Sequence, residues 1–299
     1  MERIELGDAE IIRILEWQGP FAPAAQIVPG PAEADWQHTG PDHYDPADGS
    51  YRGALQTWAV RCGGRTVLVD TGVGDGRERP GTPMFHHRRG RFLDLLAEAG
   101  IRPEDVDTVV NTHLHADHVG WNTRRHGDHW VPTFPEAVYY LPAADLAFFD
   151  PAAAHPARTT GTTGTPDPAQ WAEWDQVFAD SVAPVLAAGQ ARTWSGTHRI
   201  GAGLVLEETP GHTPGSSVLR LACGGGGAVF VGDLLHSPVQ LAHPACNSCF
   251  CLDAAAAAAS RLRILQRAAD EGELVVPAHF AGPGLTRVRR SGAGFTPVR

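Results

Sequence analysis

Between Asp107 and Gly120 the chain reads DTVVNTHLHADHVG, a short apolar run that empties into three imidazoles and a carboxylate. Alternate residues of an extended segment share a face, so His113 and His115 can share one cation. Asp117 and His118 follow at the turn after the strand, where they can aim at a second. Imidazole and carboxylate are ligands of zinc and of similar borderline metals, and the H-x-H-x-D-H spacing marks a metal site rather than a histidine-rich surface loop. Three more groups of the same chemistry stand at strand ends further along: His212 in TPGHTPGSS, Asp233 in VGDLLHS and His279 in PAHF. Glycine beside His212 lets the backbone bend close to a metal without a side-chain clash.

Two cations a few ångströms apart can share a water and lower its pKa from about 16 toward neutrality. The resulting bridging hydroxide attacks a carbonyl carbon or a phosphorus centre, so no serine or cysteine nucleophile is needed. Asp117 and Asp233 are ligands first, and one of them could also assist proton transfer to the leaving group. His236, three residues after Asp233, reads either as a pocket-facing hydrogen-bond donor or as an ordinary helix-start residue. Cys246, Cys249 and Cys251 form a C-x-x-C-x-C cluster with no second CxxC or CxxH pair nearby. His243 could supply a fourth zinc ligand, but buried or adventitious thiols are the favoured reading.

The elements that must carry these groups follow from the apolar pattern. Strands are expected near Ile4–Leu6 and Ile11–Leu15, then a hairpin of Leu55–Arg61 and Thr66–Asp70 turning at Cys62-Gly63-Gly64-Arg65. Its second strand ends in Asp70-Thr71-Gly72, a carboxylate at a strand tip. Phe92, Leu95, Leu96 and Ala99 share a helical face stopped by Gly100. After the metal loop, WNTRRHGDHWVPTFPEA reads as a long polar loop in which Trp121 and Phe134 would wall a pocket. Pro151 to Pro168 reads as a surface loop, and Trp171 to Leu186 as a helix that Pro184 ends or kinks. Strands Leu204–Glu208, Val218–Ala222, Ala228–Val231 and Leu274–Val276, with a helix over Asp253–Ala269, make the second half. Two αβ halves meeting near 170–190 suggest two sheets packed face to face with helices outside, as a single domain over 1–299. The Pro-, Gly- and Asp-rich segment 16–50 reads as an ordered cap or lid.

The 299 residues, 42% of them hydrophobic, suffice for a sizeable core. A formal net charge of −10 argues against nucleic acid as a partner. No long apolar stretch is present, so neither a leader nor a membrane span is expected, and five cysteines without a disulfide framework fit a reducing cytoplasm.

THLHADH, followed by GHTPGS, an aspartate in VGD and a late histidine in PAHF, resembles the metallo-β-lactamase superfamily over most of the chain. The resemblance implies an α/β fold of four layers, the αβ/βα sandwich. It implies that His113, His115 and His212 hold one metal, that Asp117, His118 and His279 hold the other, and that Asp233 bridges them. It also places Asp70 beneath the metals, accepting a ring proton from a ligand histidine. Aspartate rather than cysteine at 233 points to the general hydrolase branch. Two divalent ions are implied, zinc by default, with iron, manganese or cobalt fitting the same set. The expected activity is hydrolysis of a small, neutral lactone or carboxylic ester, with phosphotriester hydrolysis as the alternative; no tyrosine lies between Gly211 and Asp233, unlike many acyl-homoserine lactonases. A redox member or a non-catalytic metal binder stands further off, and a homodimer is admitted.

Overall fold

The computed structural model describes residues 2–153, 166–201, 203–224 and 226–298. Most of the expected Pro151 to Pro168 loop therefore lies outside the described residues.

The chain begins with strands β1 (Arg3–Leu6) and β2 (Ala9–Pro23), short helices α1 (Ala24–Ile27) and α2 (Glu33–Gln37), then β3 (Tyr44–Asp45) and the long β4 (Ser50–Cys62). Next come β5 (Arg65–Val69), α3 (Phe92–Glu98), β6 (Thr108–Val110), α4 (Ala116–Val119), the hairpin β7 (Thr123–His126) and β8 (His129–Pro132), β9 (Val138–Pro142) and α5 (Ala143–Phe149). Helices α6 (Pro168–Val177) and α7 (Ala183–Ala187) lead to β10 (Ala191–Trp194). The remainder is β11 (Thr197–Gly201), β12 (Leu204–Glu208), β13 (Ser217–Cys223), β14 (Gly226–Gly232), α8 (Val239–Ala242), α9 (Ala254–Glu271), β15 (Leu274–Pro277), β16 (Thr286–Ser291) and β17 (Gly294–Val298).

Contacts divide these elements into two compact units. The first comprises chiefly Ile12–Glu16 and Thr57–Ser195, the second Arg3–Ile11, Trp17–Gln56 and Gly196–Arg299. In the first unit β5 pairs antiparallel with β4 and parallel with β6, and β9 lies parallel between β6 and β10. Parallel neighbours are buried on both faces, so Val67–Val69 and Thr108–Val110 are apolar or small and buried. Phe92, Leu96 and Ala99 of the α3 region pack on this sheet in one core with Trp171, Trp174, Val177, Phe178, Val182 and Val185. That packing places α6 and α7 in the first unit, and the second resumes at Gly196, past the 170–190 stretch where the sequence puts the junction.

Asp167 caps α6 by accepting from the Gln170 amide at 2.8 Å, with Pro168 at the first helical position. The expected kink is a π-helical turn over Phe178–Val182 just before Pro184. Proline lacks the N–H that would bond the carbonyl four residues back. That carbonyl, Asp180 O, accepts instead from Arg77 Nη1 at 3.0 Å and Thr123 Oγ1 at 2.5 Å.

The second unit carries a sheet in the order β11-β12-β13-β14-β15-β16-β17, antiparallel except where β14 and β15 run parallel. Helix α9 starts at the Asp253 cap, which accepts from the Ala256 amide at 2.9 Å, and ends at Gly272 in the left-handed conformation. Its buried residues Ala257, Ser260, Arg261, Ile264, Leu265 and Ala268 recur at helical spacing. Within residues 16–50, expected as an ordered cap or lid, β2 runs on to Pro23, and Trp36 and Tyr44 pack with Tyr51, Ile27, Val28 and Val239. Residues 123–132, expected as loop, form the β7–β8 hairpin. No helix among the described residues is long and apolar enough to cross a membrane.

Candidate metal centre

In the first unit the metal loop is fastened from below. Asp70, at the end of β5, has a left-handed backbone (φ +59°) that few residues besides glycine, asparagine and aspartate tolerate. Its carboxylate accepts from the Thr112 amide at 2.7 Å and the Thr112 hydroxyl at 2.9 Å. His118 Nδ1 donates to the same carboxylate at 2.8 Å, which leaves Nε2, 3.7 Å from Asp117 Oδ1, as the nitrogen able to ligate a cation. The His118 carbonyl accepts from the Thr71 amide (2.8 Å) and from Asn111 Nδ2 (2.9 Å). Gly120 approaches the other strand-end turn so closely that a Cβ there would sit 1.9 Å from the Val73 carbonyl carbon. Asp145 of α5, buried, accepts from the Leu114 amide at 3.0 Å and so holds the backbone between His113 and His115. Those two rings bring His113 Nε2 and His115 Nδ1 to 3.1 Å.

In the second unit Gly211 is required twice over. Its φ is +138°, and a Cβ would fall 2.0 Å from the Ala257 amide nitrogen at the start of α9. The turn is pinned there by Asp253 N–H to Gly211 O (2.8 Å) and Leu252 N–H to His212 O (3.1 Å), with Cys251 Sγ 3.9 Å from His212 Nδ1. The two oxygens of Asp233 face different imidazoles: Oδ2 is 3.2 Å from His212 Nε2, and Oδ1 is 2.9 Å from His279 Nε2. His279 Nδ1 donates to Ala54 O at 2.9 Å, and the Ala54 amide returns a bond to His279 O at 3.0 Å. Tyr51 Oη lies 2.5 Å from His236 O and 3.1 Å from His279 O, and burial raises its pKa.

His236 stands 3.2 Å from Asp233 Oδ2. Burial pushes its pKa down to about 4 against the opposing pull of Asp233, so the ring is neutral at pH 7. Asp233, His236 and His279 offer ligand atoms all within 4.8 Å of one another. Aromatic rings flank these groups in both units. Phe149 and Trp174 lie 5.7 and 6.1 Å from His115, Phe21 lies 6.4 Å from His279, and the half-exposed Phe250 lies 5.8 Å from His236.

These donors fit a borderline divalent cation. Nitrogens bound at 2.0–2.1 Å to a tetrahedral metal stand roughly 3.3 Å apart, close to the 3.1 Å between His113 and His115. The imidazole and carboxylate atoms around Asp233 show similar spacing, each imidazole contributes one nitrogen, and the other nitrogen of His118 and of His279 is committed to an acceptor.

Of the residues expected at a pocket, Trp121, largely buried with its ring stacked on Phe92 at 5.4 Å, lines a cavity of the first unit. Phe134 has no exposed surface and belongs to the core of the first unit, so it walls no pocket; the sequence marks it as aromatic but not that its strand neighbours cover it. The cysteine cluster supplies none of the metal-competent groups and no disulfide joins any cysteine among the described residues, and His243 pairs with Asp35 at 3.1 Å. Sequence reasoning missed Asp145 and Tyr51: an acid inside the apolar run ADLAFF was a signal for Asp145, and Tyr51 gave none, whereas Cys251, expected as a buried or adventitious thiol, lies beside His212.

Residues 51–279 match the sequence model of the Metallo-beta-lactamase superfamily, a span containing His113, His115, Asp117, His118, His212, Asp233 and His279. The mouse (Mus musculus) Metallo-beta-lactamase domain-containing protein 1 is 43% identical over 74 residues, 25% of this chain and 22% of that protein, so the chain spans less than a quarter of that relative's length. Among solved structures, the hydrolase AbOPH of the beta lactamase superfamily superposes with a TM-score of 0.81 at 23% identity, covering 99% of this chain and 97% of that one. AidC, described as a dizinc quorum-quenching lactonase in complex with a product N-hexnoyl-L-homoserine, superposes with a TM-score of 0.77 at 22% identity, covering 99% and 96%.

Proposed function

Because the chain belongs to the metallo-β-lactamase superfamily and has its α/β fold, we propose that it is a dinuclear metal-dependent hydrolase of small, neutral lactones or carboxylic esters. The seven ligands are His113, His115, Asp117, His118, His212, Asp233 and His279. The observation that carries the reading is Asp233, whose two oxygens are each directed at a separate imidazole, as a carboxylate shared by two cations requires. Two bound cations supply a water ionised near neutral pH and a Lewis acid for the substrate oxygen.

The chain's own side chains do the rest. Asp70 and the Ala54 carbonyl hold the proton-bearing nitrogens of His118 and His279, which fixes both rings for ligation. The neutral His236 ring donates to a substrate oxygen as negative charge gathers there. Asp117, partly exposed, would take the remaining proton of the attacking water and hand it to the departing alkoxide. Phe149 and Trp174 beside His115, and Phe250 beside His236, favour an apolar substituent on the substrate. The likeness to AidC supports a lactone and the likeness to AbOPH a hydrolase; phosphotriester hydrolysis at the same site is the second reading.

A panel of lactones, aryl esters and phosphotriesters, assayed with metal-reconstituted protein, tests this. Turnover of a lactone or carboxylic ester, abolished by chelation and restored by zinc, cobalt or manganese, is the expected result. Phosphotriester turnover alone replaces the first reading with the second, and turnover of none contradicts both.

A further inference from the structure

The first unit holds a cavity of about 980 Å³ lined by Asp75, Glu78, Arg89, Arg124, Arg125 and Trp130, among others. It shares no residue with the seven ligands, so what it binds is independent of the hydrolase reading. Its size is that of an organic molecule rather than of a bare ion.

Its charge is unusual for this chain. All 24 basic residues are arginine, and the whole chain carries a formal charge of −10. Around the cavity the balance reverses. Asp180 is committed to Arg79, bonded through both carboxylate oxygens at 2.8 Å, and to Arg77 at 3.2 Å. Glu78 sits 3.2 Å from His87. Asp75 accepts from the Gly90 amide at 2.7 Å. Arg89, Arg124 and Arg125 form no ion pair among the described residues, and all three are exposed. Arg77 and Arg79, fully buried behind the wall, neutralise Asp180, so on the wall itself three guanidinium groups face the two carboxylates of Asp75 and Glu78.

The wall is also built rather than loose. Arg77, fully buried, donates to the Gly120 carbonyl and, at 2.7 Å, to the Thr123 carbonyl, and its guanidinium lies 3.7 Å from the Trp130 ring centre. Arg125 covers the same ring at 5.0 Å. The β7–β8 hairpin that carries Arg124, Arg125 and Trp130 is thereby fixed to Asp180 and to the end of the metal loop.

We propose that this cavity is a binding site for a small organic anion with at least two negative charges, held through carboxylate or phosphate oxygens by Arg89, Arg124 and Arg125. The guanidinium fork matches both oxyanions in geometry, and three of them around one cavity select against singly charged ions. A divalent cation is disfavoured: His86 Nδ1 accepts the Arg79 amide at 3.0 Å, which puts its proton on Nε2 and removes it from the Glu78, His86 and His87 group.

Titration of the metal-loaded protein with citrate, with glycerol 2-phosphate and with uncharged glycerol, at constant ionic strength, tests the proposal. Tryptophan fluorescence and calorimetry serve as readouts. Expected is saturable binding of citrate or glycerol 2-phosphate, but not of glycerol, with the better of the two identifying carboxylate or phosphate as the preferred oxyanion. Combined Arg89→Gln, Arg124→Gln and Arg125→Gln should weaken it about tenfold or more, the corresponding lysine substitutions less, and Asp233→Asn not at all. No saturation by either anion below about 10 mM overturns the proposal. So does binding that survives the glutamine substitutions or is lost in Asp233→Asn, which would put the anion on the metals.

Discussion

Asp70 does more with one side chain than its place at a strand tip requires: three donors converge on its carboxylate and its own backbone is left-handed. Strain of this kind persists where the surroundings over-determine it. Asp70→Asn keeps the shape but offers one oxygen and a competing N–H, so His118 loses its acceptor. Metal affinity is expected to fall about 10–100-fold, measured by competition with a chromophoric chelator; unchanged affinity would remove Asp70 from the site. The early ligands were legible because His113, His115, Asp117 and His118 sit within six residues, where spacing alone constrains geometry. His212, Asp233 and His279 were legible only as polar residues at glycine-rich strand ends that completed a family pattern. Tyr51 was not, since its acceptor at His236 lies 185 positions further along the chain, and Cys251 was legible as a clustered thiol but not as a neighbour of His212.

At the scale of elements, the junction of α6 and α7 shows how one proline is absorbed. The carbonyl that Pro184 leaves without a helical donor becomes the acceptor for Arg77 and Thr123, and Asp180 in turn neutralises Arg77 and Arg79. Asp180→Ala strands two buried guanidinium groups and is expected to cost about 3–5 kcal/mol of stability in urea unfolding. A loss under about 1 kcal/mol would mean that the carbonyls alone suffice. Gly211→Ala places a methyl against the Ala257 amide and should shift the His212 turn, lowering metal affinity as well as melting temperature. The regular apolar strands and α9 were readable from periodicity. The β7–β8 hairpin was not, because its residues are mostly charged or histidine and its stability comes from Arg77, Arg125 and Trp130 rather than from an apolar face.

At the scale of the molecule, residues 17–56 pack with the second unit although they precede the whole of the first unit's metal loop, a long-range arrangement that no local pattern encodes. The preceding segment Ile12–Glu16 ends on Glu16, whose carboxyl pKa burial pushes up to about 7, with Arg88 opposing and Asp75 reinforcing. Its folded value lies above the unfolded one, so the folded state binds the extra proton between roughly pH 4.5 and 7 and stability falls as pH rises through that window. Glu16→Gln should remove the slope and leave the variant more stable above pH 7 by up to about 3 kcal/mol. Parallel urea melts at pH 5 and 8 decide it, and equal stability of the two proteins at both values would contradict it. The claim on which the functional reading rests is that seven side chains hold a pair of metal ions. Diffraction from crystals of the metal-loaded protein, recorded on both sides of the metal's absorption edge, tests it most directly. Expected are two anomalous peaks about 3.5–4 Å apart, with the Asp233 carboxylate touching both; a single peak, or His212, Asp233 and His279 ligating neither ion, would contradict it.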